Sequence, residues 1–143
     1  MSRNTDLLER AVALYNAGDL DGLVNEYAED AILATPDGRA QGRAAIRSQW
    51  ARELATNPDR SQTIDVLVED GDTIATEFTW VATNTGPWVL PDGTQLPPTG
   101  KRLEIKGMVL TTIRNGKMAE QRMYWDNMDA ARQAGLLPAP TRT

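Results

Sequence analysis

Three features of the 143-residue chain predict an α+β fold, with N-terminal helices, a curved antiparallel sheet and a C-terminal helix. Apolar residues keep helical spacing in the first third of the chain and again over 43–56. Four stretches between residues 61 and 125 alternate from residue to residue, as strands with one buried face do. The stretch 116–137, GKMAEQRMYWDNMDAARQAGLL, runs from a strand straight into a helix. A strongly bent sheet folded over helices would leave a cone with an apolar interior. The chain reads as one domain, 1–143, with residues 139–143 (APTRT) as a loose tail.

The first helix is predicted over 5–17, where Leu7, Leu8, Ala11, Leu14 and Tyr15 share a face; Thr5 can cap it and Gly18 ends it. A short second helix begins near Asp19, with Leu20, Leu23, Val24 and Tyr27 on one side. Residues 30–35 form a short apolar strand, and Pro36-Asp37-Gly38 turns the chain. Gly42 precedes a third helix whose buried face is set by Ile46, Trp50 and Leu54, and Asn57-Pro58 breaks it. Strand 61–69 places Ile64, Val66 and Val68 on one side, and Asp70-Gly71 turns into strand 73–84. There Ile74, Thr76, Phe78, Trp80 and Ala82 face one way, and Glu77 the other.

Residues 86–100 hold four prolines and three glycines, so they read as an irregular arm rather than a central strand. Strand 102–114 follows, with Gly107 marking a bend or a close approach. Asn115-Gly116 suits a type I′ turn into the last strand. On that strand Gln121, Met123 and Trp125 fall on one face, and Arg122 and Tyr124 on the other. Asp126 stands at the start of the final helix as an N-cap, Asp129 falls in its first turn, Gly135 closes it and Pro138 stops it.

Composition narrows the function. A net charge of −5 without a basic run argues against nucleic acid. No apolar run reaches membrane-span length and the N-terminus lacks a signal core, so the expected place is the cytoplasm. The absence of cysteine excludes disulfides and thiolate chemistry. With no histidine either, acid–base chemistry falls to Asp, Glu, Tyr, Lys or water, and neither a metal site nor a cofactor is expected.

The stretches YNAGDLDGL (15–23), GRAAIRSQW (42–50), PPTGKRLEIKG (97–107) and the GKM, YWD and RQAGLL segments of 116–137 resemble the SnoaL-like polyketide cyclase family of the nuclear transport factor 2-like superfamily. The resemblance implies a cone-shaped barrel, pairing as a homodimer through the outer sheet face, and a pocket for a small apolar molecule. Ring closure, ketosteroid isomerisation and epoxide hydrolysis occur among such relatives. Cyclases of this type carry an aspartate where this chain has Met123 and a histidine where it has Val109; many relatives have Thr-His at Thr83-Asn84. Their acid–base pair is therefore not present here.

The candidates that remain each have two readings. Asp126 is a general base beside Trp125, or a helix cap. Gln121 orients a substrate carbonyl, or is tied to Asn84 or to backbone. Gln121 with Tyr124 or Tyr27 would donate to a developing oxyanion, although Tyr124 shares the opposite strand face with Arg122, where both are expected at the dimer interface. Glu77 is a site marker if it faces inward and a solvated charge if outward. Tyr15, Tyr27, Trp50, Trp80, Val109, Met123 and Trp125 line the pocket or fill the core, and Trp88 in the arm covers the pocket mouth or a partner subunit. The expected activity is cyclase- or isomerase-type proton transfer on an apolar carbonyl compound. The alternatives are a binding module with no acid in the pocket, and an epoxide hydrolase-like enzyme.

Overall fold

The computed structural model describes residues 2–90 and 92–136; the predicted helix stop at Pro138 and the tail 139–143 lie outside them. Helix α1 (Arg3–Ala17) starts earlier than expected, because Ser2 and not Thr5 is the cap: the Ser2 hydroxyl accepts from the Thr5 amide at 3.0 Å. Gly18 ends it at a φ of 73°. Helix α2 (Leu20–Asn25) is capped by Asp19, which accepts from the Gly22 amide at 2.9 Å. It stops short of Tyr27, which begins strand β1 (Tyr27–Thr35) because Tyr27 pairs with Met118 across the sheet. Strand β2 (Gly38–Gln41) follows the predicted turn and then leads into α3 (Arg43–Thr56).

Strands β3 (Ser61–Asp70) and β4 (Thr73–Thr83) form a hairpin. A bulge between Ile64 and Val66 reverses the faces of β3, so Ile64 and Leu67 pack inward while Val66 and Val68 are exposed. That corrects the predicted Ile64–Val66–Val68 face. The arm contains a small hairpin, β5 (Trp88–Val89) with β6 (Gln95–Leu96). Strand β7 (Arg102–Arg114) and strand β8 (Lys117–Tyr124) meet at a turn where Asn115 and Gly116 have φ of 53° and 73°, as a type I′ turn requires. Helix α4 (Asn127–Gln133) closes the chain.

The six main strands lie in the order β2-β1-β8-β7-β4-β3, antiparallel except for the β1–β8 pair. Gly107 lies opposite Phe78, and a Cβ there would sit 2.6 Å from the Phe78 ring and 2.5 Å from the Tyr124 carbonyl oxygen. The glycine thus lets the ring cross β7.

Two apolar clusters hold the molecule. The larger joins α1 and α3 to the concave sheet face through Leu7, Leu8, Leu33, Ile46, Trp50 and Ile74. Each such buried side chain contributes about 1.5–3 kcal/mol. The smaller sets α4 on the far end of the sheet, with Ala130 and Ala134 on Leu103 and Ile105. Trp80 packs against both.

Candidate active site

Between these clusters lies a cavity of ≈ 860 Å³, walled by the inner sheet face, α3, the arm and α4. Its size suits a small organic ligand. Tyr15, Trp50, Trp80, Trp88, Met123 and Trp125 all line it. Behind it a chamber of ≈ 40 Å³ is bordered by Tyr27, Val109 and Gln121, with Tyr15, Trp50, Gln62 and Met123 common to both spaces. The room matches one or two waters.

Three of the expected site residues lie elsewhere. Tyr124 is 61% exposed on the outer face of β8, because the strand's alternation carries it opposite to Met123; it cannot donate into the cavity. Glu77 is likewise exposed on the outer face of β4. Asp126 is exposed and is not part of the cavity wall; its carboxylate accepts from the Asp129 amide at 3.1 Å, the geometry of an N-cap. Gln121 is buried and already partnered: it accepts from the Tyr27 hydroxyl and donates to Thr111 Oγ1 at 3.1 Å. Asn84, the other partner considered for it, instead ties the arm together. Its side chain donates to the carbonyls of Thr56 (3.3 Å) and Gly86 (3.0 Å) and accepts from the Thr99 amide (3.0 Å).

Two carboxyl groups border the cavity: that of Asp37, exposed at its mouth, and that of Glu53, on α3 one turn beyond Trp50. The Glu53 side chain is only 22% exposed. The Tyr15 hydroxyl donates to Glu53 and in turn accepts from Trp80 Nε1 at 2.8 Å. Arg60 Nε lies 3.1 Å from Glu53 Oε1, off the line of a hydrogen bond, so the two groups interact as charges. The Arg60 guanidinium also stacks over the Tyr15 ring, 3.7 Å from its centre. Trp50 meets that ring edge-on at 5.6 Å.

Burial dominates the electrostatics. It raises the Glu53 carboxyl to about 7; the Tyr15 hydrogen bond, the Arg60 charge and Trp80 pull it back, and Asp37 at the cavity mouth adds to the rise. Burial, reinforced by the Glu53 charge, pushes the Tyr15 phenol well above its ordinary range, so it stays a proton donor. Burial does the same to Tyr27. A carboxyl poised near neutrality in an apolar cavity can exchange a proton with a bound molecule at physiological pH.

Glu53 escaped the sequence reading, which took the helix from Ile46, Trp50 and Leu54 alone. Its spacing of three from Trp50 was the available signal, since positions i and i+3 share a helix face. Among the described residues no group of acidic side chains is gathered for a metal ion, and no helix is long and apolar enough to cross a membrane.

Solved structures share this architecture. TsrD from Streptomyces laurentii is 27% identical, with a TM-score of 0.81 over 94% of this chain and 96% of that one. AclR from Streptomyces galilaeus, a proposed hydroxylase, is 21% identical with a TM-score of 0.82, covering 97% and 89%. IdmH from Streptomyces antibioticus, a proposed polyketide cyclase, is 24% identical with a TM-score of 0.79, covering 94% and 99%. The family model described as SnoaL-like polyketide cyclase matches residues 5–134, and the chain belongs to that family.

Proposed function

We propose that this chain is a cyclase- or isomerase-type enzyme that removes a proton next to the carbonyl of a small apolar, polyketide-like substrate, with Glu53 as the base. The observation that carries the reading is a carboxyl group raised to about 7 in the wall of an aromatic-lined cavity. Ionised Glu53 takes the proton and the substrate becomes an enolate. The proton returns to the enolate, or to the oxyanion formed when the enolate closes a ring. Tyr15 holds the carboxylate through its hydroxyl. Gln62 is paired across β3–β4 with Trp80, which puts it on the inner face, and it borders both chambers. In this reading its side-chain amide donates to the negative oxygen. Gln121 and Tyr27 are committed to each other, and their part is to hold the inner wall.

The test is exchange of the α-hydrogens of β-tetralone for deuterium, followed by NMR. The expected rate exceeds buffer alone and rises with pH around about 7, because the ionised form of Glu53 is the active one. No excess over buffer at any pH overturns the reading. Asp126 has only its cap in this scheme. Asp126→Ala is expected to lower stability by about 1 kcal/mol and leave the exchange rate within about twofold. A hundredfold loss would instead make Asp126 the base.

We infer further that two copies pair through the outer sheet face, which exposes Met108 and Tyr124 beside half-buried Leu110. Sedimentation at micromolar concentration is expected to give a dimer. A species of monomer mass alone counts against the pairing.

A further inference from the structure

Arg60 is a buried cation, 2% exposed, in the loop that leads from α3 into β3. Its Nη1 donates to the Tyr15 carbonyl at 2.6 Å. Its Nε and Nη2 are buried without a hydrogen bond. Withdrawing a guanidinium from water and leaving two of its nitrogens unbonded is costly. Fastening the Tyr15 carbonyl needs only one donor, so that contact does not account for the charge. What the charge faces is the Glu53 carboxyl at 3.1 Å and the Tyr15 ring at 3.7 Å. We propose that Arg60 is a positioning residue: its guanidinium holds the Tyr15 phenol against the Glu53 carboxyl and favours the charged carboxylate within the apolar wall. This rests on Glu53 being the base.

The groups that bear on Glu53 can be named element by element. Tyr15 comes from α1, Trp80 from β4, Asp37 from the turn between β1 and β2, and Arg60 from the loop before β3. Arg60 is the cation among them; Arg52 of α3 also borders the cavity, and the described residues of the β5–β6 arm bring no charge to its wall. Burial and Asp37 oppose ionisation, and Arg60 acts against both.

Arg60→Gln removes the charge and retains an amide at the position of Nε, two bonds short of the Nη1 that reaches the Tyr15 carbonyl, whereas Arg60→Lys keeps the charge. The readout is carbon-13 NMR of glutamate-labelled protein titrated from about pH 4 to pH 10, beside the pH profile of β-tetralone exchange. In Arg60→Gln the Glu53 titration is expected to move up by about 1–3 pH units. The exchange profile moves with it, so activity falls at neutral pH and returns in alkali. Arg60→Lys is expected to titrate within about one unit of wild type, since an opposite charge nearby is retained. A folded Arg60→Gln whose Glu53 titrates as in wild type overturns the proposal. If the Gln variant does not fold, a shift larger than about one unit in Arg60→Lys overturns it. The titration needs no turnover. A wrong assignment of the base shows separately, as exchange that survives Glu53→Gln.

Discussion

Glu53→Gln is expected to slow proton exchange by about 10²–10⁴-fold, the usual contribution of a positioned general base. The substitution keeps the size of the side chain and an oxygen to accept from Tyr15. It removes the group that titrates near neutrality and nothing else in the aromatic wall. The pH dependence should vanish with it, leaving a flat residual rate. Arg60 then faces a neutral amide, and breaking a buried ion pair can cost about 3–5 kcal/mol. Because Glu53 titrates at about 7, the wild-type pair is already partly neutral at that pH, so the stability loss should fall below this range. A thermal melt separates the two effects: lost exchange in a protein that still melts cooperatively assigns the loss to chemistry.

Gly86→Ala should be the most damaging single methyl addition among the described glycines. The added Cβ would sit 1.8 Å from the Ala55 carbonyl oxygen and 2.8 Å from its carbon. Both are backbone atoms in the last turn of α3, so no rotamer relieves the overlap. The Gly86 amide donates to the Thr56 carbonyl at 2.9 Å, and Asn84 reaches both Gly86 and Thr56. The arm is thus clamped to the end of the helix that carries Glu53. Relief must lift one from the other, breaking buried hydrogen bonds. The expected loss is about 3 kcal/mol, seen as a lower urea midpoint at unchanged slope. A change under about 0.5 kcal/mol would show that this clamp is slack.

The elements that could be read from the chain are those whose own pattern decides them. Helix α3 and strand β7 fall at the predicted residues because periodicity and alternation run unbroken to the turn signals. Strand β2 was not read: it is four residues long with one buried side chain, Ala40, and exists through its pairing with β1. The inner face of β3 was misread after Ile64 because a bulge is settled against the partner strand, not within β3. The aromatic wall was legible, since Trp50 and Trp80 stand at inward positions of strongly patterned elements and Trp125 directly follows β8. The acid was not. In RAAIRSQWARELAT a glutamate among arginines reads as part of a solvated face. What buries it is Tyr15 from another helix and Arg60 from a loop beyond the helix end, proximities that only the fold creates.

The central claim is that the cavity holds one carboxyl group tuned to exchange protons at neutral pH. Its most direct measurement is the carbon-13 titration of the Glu53 side chain in the unaltered protein, assigned by the signal lost in Glu53→Gln. The account predicts a midpoint near 7, well separated from the surface carboxylates. A midpoint at the ordinary glutamate value of about 4.3 would mean a side chain charged throughout the neutral range and would contradict it.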